Sequence, residues 1–202
     1  DILLHSVSTM VMKMCILSLE EGMALRGAIG YGDIFIDYSK SIIFGPGLIE
    51  SIRDEQKKAK YPRVIISESL LDILNKSENH KKCNNFPSPI IYDSADKIYH
   101  IDYLKMPLVN FISKGCTMKI KKIAYYIVYN HNSANMKHKK KWKWLINYYN
   151  TVIDDLMSEH TSNNAVCKFT QCKHPNNFVF KKLKISSKRF IFIQGLMEVI
   201  HR

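Results

Sequence analysis

No apolar run in this 202-residue chain approaches the roughly 20 residues that a membrane-spanning helix needs. Its opening lacks the basic, then apolar, then small-residue order of a secretory leader. Cysteine is sparse: the five, at 15, 83, 116, 167 and 172, are odd in number and scattered, which speaks against a disulfide framework. A cytoplasmic protein with no membrane partner is therefore expected. Arginine is equally scarce, 5 against 25 lysines, so lysine supplies most of the positive charge behind the net +12. With Asn and Ile abundant, that bias is what an AT-rich coding sequence gives without selection for binding. The charge as such thus points to solvation ahead of polyanion binding. A dinucleotide fingerprint is also missing, because Gly27, Gly30 and Gly32 lack the G-x-G-x-x-G spacing and lead into a hairpin rather than a helix.

What is present centres on Ala24 to Ser67, ALRGAIGYGDIFIDYSKSIIFGPGLIESIRDEQKKAKYPRVIIS. Leu25 to Asp37 alternates apolar and small residues and reads as a strand with close backbone approaches at its glycines. Tyr38 to Ser41 is turn-like, and Ile42-Ile43-Phe44 is a second strand, so the pair predicts a hairpin. Gly45-Pro46-Gly47 breaks the strand, and Pro46 suits the first position of a helix. Leu48, Ile49 and Ile52 are expected to form the buried face of that helix. Tyr61-Pro62 stops it, and Arg63 to Ser67 reads as a buried strand.

This order of strand, hairpin, glycine-led helix and serine-ended strand resembles the second half of a class III nucleotide cyclase domain. The wording "RGAIGYGD…IIFGPGLIES…EQKKAKYPRVIIS" is nearest to the bacterial branch that includes the pyrimidine cyclases of Pycsar-type anti-phage defence. The resemblance implies an α+β fold: a ferredoxin-like cyclase sheet backed by helices, followed by a helical C-terminal extension. It implies a head-to-tail homodimer that converts CTP or UTP to a 3′,5′-cyclic monophosphate and pyrophosphate at a two-metal site holding Mg²⁺ or Mn²⁺. On this frame Gly45 takes the family's glycine, Leu48 its valine, Ile49 its asparagine, Arg53 its transition-state arginine and Glu55 the acidic residue that follows. Arg53 would meet charge building on the α-phosphate in the partner's site; as an ordinary helix arginine it would pair with Glu50 or Asp54. Ile42 stands where purine-specific relatives carry a base-selecting aspartate, which agrees with a pyrimidine substrate. Arg26 and Arg63 are candidates for phosphate contacts or for capping strand ends. Asp1 is the candidate metal ligand, either the family's second metal-binding aspartate or the residue after it.

The chain starts at Asp1, and Ile2-Leu3-Leu4-His5 reads as a strand already in progress. The stretch is therefore expected to be a fragment lacking the first metal-binding aspartate and impaired as it stands. Val7, Met10, Val11, Met14 and Leu17 predict one face of a helix ending at Gly22. Residues 1–75 form the expected cyclase-like core.

Residues 76–107 are a loop and a strand pair. Ile90-Ile91-Tyr92 and Ile98 to Leu104 flank Asp93-Ser94-Ala95-Asp96 and resemble the "D-x-D-G-x-x-x-I-D-Y-L" element of the same branch. A cation loop of Asp93, Asp96 and Asp102 is rejected, because the glycine and closing glutamate of an EF-hand are missing. Residues 108–158 are a helical extension, with helices over 119–132 and 137–157. The run Lys137 to Lys143 has two interleaved tryptophans, but their periodic placement favours packing, so nucleic acid is not the expected partner. Residues 159–202 form a basic appendage. His80 with Cys83, and Cys167 with Cys172 and His174, each fall short of a zinc ligand set.

Overall fold

The computed structural model describes residues 2–76 and 89–162. Among them the elements run α1 (Ile2–Glu20), β1 (Gly27–Ile29), β2 (Phe35–Asp37), β3 (Ile42–Phe44), α2 (Pro46–Lys57), β4 (Val64–Ile66), α3 (Glu68–Lys76), β5 (Ile90–Asp93), β6 (Ile98–Ile101), α4 (Lys105–Ser113), α5 (Thr117–Ser133) and α6 (Met136–Ser162). The fold is mixed α+β. It divides into two compact units, Asp1–Cys15 with Ala24–Tyr103, and Ile16–Met23 with Leu104–Arg202. The chain thus changes units after Tyr103, four residues before the expected start of the helical extension, and α1 runs from one unit into the other.

The first unit is built on a four-stranded sheet ordered β1-β4-β6-β5. β1 and β4 are parallel, with Gly27 opposite Val64 and Ile29 opposite Ile66, so α2 is the helix of a β-α-β crossover. β6 runs antiparallel to both β4 and β5. Val64, Ile65 and Ile66 are all buried, as a continuous apolar run in a central strand requires. The predicted hairpin forms as a separate two-stranded sheet, β2 with β3, pairing Phe35 with Phe44 and Asp37 with Ile42. Asp37 builds its turn: the carboxylate accepts from the Ser39 N–H (3.0 Å), the Ser39 hydroxyl (2.6 Å) and the Lys40 N–H (3.2 Å). The Ser39 hydroxyl is the main cause that holds this carboxyl below its ordinary value.

The deepest feature of this unit is Arg63, whose side chain is 0% exposed. Its Nη1 donates to Asp93 Oδ2 at 2.6 Å and its Nη2 to Asp96 Oδ2 at 2.5 Å, and its guanidinium lies 5.4 Å from the centre of the Tyr61 ring. Asp93 also shapes the β5–β6 turn by accepting from the Ala95 N–H at 2.9 Å, and Lys97 closes that turn at φ +56°. The Tyr103 hydroxyl donates to the Pro62 carbonyl at 2.6 Å, fastening the chain after β6 beside Arg63. His100, buried on β6, lies opposite Ile65 and Ile91.

In the second unit α5 buries Ile120, Ile123, Ala124, Ile127 and Val128, an i, i+3, i+4, i+7, i+8 set. α6 answers with Leu145, Ile146, Tyr149, Val152, Ile153 and Leu156. The last turn of α1 belongs here: Glu20 pairs with Lys119 at 3.3 Å, Glu21 with Lys122 at 3.2 Å, and the Asn130 amide donates to the Gly22 carbonyl at 2.8 Å.

Four expectations are corrected. Ile2 to His5 is not a strand; α1 begins at Ile2 and carries that segment as helix. The buried positions of α1 are Ser8, Met12, Cys15, Ile16 and Leu19, whereas Met10, Met14 and Leu17 are exposed. Apolar residues surround this helix, so periodicity alone did not single out the inner face. Leu25 to Asp37 is two short strands rather than one, because Gly30 to Ile34 bends away to pass over α2. Finally, Ile49 and Ile52 of α2 face outward, and Gly47 and Asp54 are its buried residues. α4 was not anticipated.

Replacing Arg63 by methionine strands two carboxylates beside the sheet and is expected to cost roughly 3–5 kcal/mol in urea unfolding. The triple change Arg63→Met, Asp93→Asn, Asp96→Asn should recover much of that loss, and no recovery would show that the ion pairs are not what holds the turn. Stability should also depend on pH. Burial is the largest cause that lowers the His100 pKa from its ordinary 6.5, with Arg63 adding to it. The unfolded chain therefore takes up this proton first, and stability present above pH 6.5 is lost as pH falls through the folded value. Burial pushes the Asp93 carboxyl up, but the Ala95 N–H, Arg63 and the Asp96 N–H outweigh it, so its contribution in turn disappears below 3.8. Thermal midpoints should fall between about pH 7.5 and about pH 5.5, and fall less in His100→Gln; an identical drop in the variant would remove His100 as the cause.

Candidate functional site

The residues singled out by sequence cluster around α2 and the loop that crosses it. After β1, Gly30 and Gly32 run over the first turn of the helix. A Cβ at Gly30 would lie 2.6 Å from Ser51 Oγ and 2.7 Å from the Gly47 carbonyl, and one on Gly47 would lie 2.9 Å from the Gly32 nitrogen. Backbone here touches backbone, and only glycine fits. Gly45, which caps α2, is more constrained again: at φ 156° and ψ 162° it occupies a region that other residues avoid. A Cβ there would fall 2.1 Å from the Asp33 carbonyl. The hairpin is thereby pinned to the start of the helix.

Polar contacts fix the other side of the junction. The Glu50 carboxylate accepts from the Ser69 hydroxyl and, at 3.3 Å, from the Ser69 N–H in the first turn of α3, where negative charge is favoured. Ser69 Oγ in turn accepts from the Tyr31 N–H at 3.0 Å. One carboxylate thus links α2, α3 and the loop after β1. Sequence reading had given Glu50 only the part of a partner for Arg53, and no local signal marks a bond to a residue 19 positions away. Asp54 was likewise hidden: it is 1% exposed on the inner face of α2, with the Lys58 ammonium 2.9 Å from Oδ1.

The predicted site residues occupy different surroundings. Arg53 is 56% exposed, and its Nε reaches Asp54 Oδ1 only at 4.0 Å, so its charge is directed largely to solvent. Arg26 is committed: Nε donates to Glu55 at 2.5 Å and Nη1 to the Ala59 carbonyl at 3.4 Å, tying the start of β1 to the end of α2. Arg63 is enclosed by its two aspartates. Ile42 sits on β3 opposite Asp37, its side chain exposed. Gly45 and Arg53 are eight residues apart along α2, about 12 Å of helix axis. Asp1, His80, Cys83, Cys167, Cys172 and His174 lie outside the described residues.

Among the described residues no three His, Cys, Asp or Glu side chains converge so that they could hold a metal ion. Most of the nearby carboxylates are engaged, Asp37 by its turn, Glu50 by Ser69, Asp54 by Lys58, Glu55 by Arg26, and Asp93 and Asp96 by Arg63, whereas Asp33 is exposed in the loop after β1. The described residues do not by themselves fit a two-metal centre, and the expectation of Mg²⁺ or Mn²⁺ rests on Asp1 and on residues beyond this stretch. Thiolate chemistry finds no support at Cys15 either, since burial pushes its thiol up to about 12.

Gly45→Ala is expected to destabilise the first unit by roughly 1–3 kcal/mol, because the added methyl has no room. Arg53→Ala, at an exposed position, should stay within about 0.5 kcal/mol of the parent. Urea unfolding of both variants checks the contrast, and a tolerated Gly45→Ala would refute the packing described. Comparison of the chain with protein-family models, with curated proteins and with solved structures gave no match.

Proposed function

We propose that this chain is part of a class III nucleotide cyclase-like protein of the bacterial pyrimidine-cyclase type. In intact form it acts as a homodimer with Mg²⁺ or Mn²⁺ and converts CTP or UTP to a 3′,5′-cyclic monophosphate, an anti-phage signal, with release of pyrophosphate. The observation that carries this reading is the segment from β1 to β4. A parallel strand pair is joined by a hairpin and a helix that opens at a glycine with no room for a side chain, in the order of the resembled family. A second position agrees. Counting back from Ile101-Asp102-Tyr103-Leu104, the resembled "D-x-D-G-x-x-x-I-D-Y-L" element has its glycine at Lys97, which takes the left-handed φ of +56° that favours glycine.

The same segment leaves Phe35, Ile36, Ile43, Phe44, Ile49 and Ile52 exposed. A second copy of the chain would cover so large an apolar surface. Arg53, whose side chain is 56% exposed on α2, fits a role across such an interface. Its guanidinium would neutralise charge gathering on the α-phosphate as the ribose 3′-oxygen attacks and pyrophosphate departs. Ile42 offers no hydrogen bond to a base edge, as suits a pyrimidine substrate in this reading. The second reading is a catalytically inactive cyclase-like module that senses nucleotides or binds a protein. It is favoured by Ile49 at the family's asparagine position and by the engagement of Asp37, Glu50, Glu55, Asp93 and Asp96 in contacts within the chain.

The chain, and a form carrying residues upstream of Asp1, should be incubated with each of the four nucleoside triphosphates and Mn²⁺ and the products read by mass spectrometry. A cyclic pyrimidine product is expected from the longer form, reduced roughly a hundredfold or more in Arg53→Ala. No product from the longer form would overturn the enzyme reading in favour of the module.

A further inference from the structure

We infer that the first half of α6 is a binding surface for single-stranded nucleic acid, formed by Lys137, Lys140 and Lys141 together with the Trp144–Tyr148 ring pair. The inference concerns the second unit alone and does not rest on the cyclase reading. Lys137, Lys141, Trp144 and Tyr148 follow one another at spacings of four, three and four, so they share one stripe of the helix. That stripe is offset from the buried row of Leu145, Tyr149, Val152 and Leu156. Trp144 and Tyr148 stay half-buried, with ring centres 5.2 Å apart and planes tilted by 32°. The packing expected of the tryptophans is thus only partly realised, and Leu145 and Ile146, which follow them, take the core positions.

Among the described residues no carboxylate neutralises the charge of this segment. Five lysines fall between Met136 and Lys143, and α6 has no acidic residue before Asp154. None of the five pairs with a carboxylate among the described residues, although Lys119 and Lys122 in the same unit each do. The cluster also sits at the wrong end of its helix. Asn135 caps α6, its side-chain oxygen accepting from the His138 N–H at 3.1 Å, so Lys137 and Lys139 lie in the first turn, at the positive end of the dipole. Lys137 with Lys141, Lys139 with Lys143 and Lys140 with Lys143 add like-charge repulsion at helical spacing. Phosphates along this face would relieve both effects, and the ring pair indicates which polyanion: bases stack on aromatic side chains, and a single strand exposes them. A closed duplex, a sulfated sugar or a lipid headgroup would use the lysines alone.

The test uses the full chain with EDTA present, which separates it from any metal-dependent activity. Binding of a fluorescein-labelled mixed-sequence single strand is read by anisotropy across a salt series, alongside intrinsic tryptophan emission. Each phosphate neutralised contributes about 0.7 to the slope of log affinity against log salt, so Lys137→Gln, Lys140→Gln, Lys141→Gln together should lower that slope by about 2. Tryptophan emission should be quenched by the single strand and not by heparin. Trp144→Leu should weaken strand binding about tenfold and leave heparin binding unchanged, the latter also reporting that the variant is folded. An unaltered slope in the triple variant would overturn the proposal. So would heparin, duplex or anionic vesicles that bind as tightly as the single strand with no quench from any of them.

Discussion

A guanidinium cannot shed its proton inside a protein, so a buried arginine must be met by carboxylates or expelled. Arg63 is met by two, and their positions organise the first unit. The arginine stands just before β4, while Asp93 ends β5 and Asp96 lies in the turn to β6. Because β6 lies between β4 and β5, the ion pairs span an entire strand and fix the far edge of the sheet to its centre. His100 sits on that intervening strand, and its depressed pKa follows from the same design: burial first, then Arg63, oppose a second positive charge there. The Tyr103 hydroxyl on the Pro62 carbonyl completes the arrangement by anchoring the chain as it leaves the sheet. Two aspartates that spacing invites one to read as cation ligands are therefore the counter-ions of an internal cation.

The second constraint is steric. Where Gly30 and Gly32 cross α2, the helix offers Gly47 and Ser51, and its bulky residues are displaced outward. That explains why Ile49 and Ile52 face solvent against the expectation of an apolar inner face: the inner face is occupied by a loop that leaves no space for a side chain. The exposed apolar residues of α2 and of the hairpin have one origin, a close backbone junction that turns hydrophobic surface outward. Such a surface has a cost in a lone chain, and it is where the dimer proposed above would find its driving force.

Legibility in the sequence followed the range of the interaction. The hairpin and the start of α2 were readable because Tyr38 to Ser41 and Gly45-Pro46 carry their conformational preference locally. The parallel strand that ends at Ile66 was readable from its unbroken apolar run. The faces of α1 and α2 were not, since both have apolar residues on more than one side and only the tertiary partners decide which go in. The four contacts that define the candidate site, Arg26 with Glu55, Glu50 with Ser69, and Arg63 with Asp93 and Asp96, bridge 19 to 33 residues and leave no periodic trace. Gly45 differs in that a local motif marks it, and the structure gives it a steric part at the start of α2.

Charge illustrates the same divide from the other side. Summed over the chain, a lysine excess says little, because nucleotide composition alone can produce it. Placed on helices, the lysines separate into two kinds. Those at 119 and 122 meet Glu20 and Glu21, brought beside them by the last turn of α1, and their field is cancelled where it arises. Those from 137 to 143 share the positive end of a long helix with one another and with no carboxylate among the described residues. Ion pairing accounts for the first kind, and solvation for scattered surface lysines generally. It does not account for cations concentrated where both the dipole and their neighbours oppose them, on a stripe that continues into two aromatic rings. Position, and not the total of +12, is what makes this part of the chain a surface awaiting an anion.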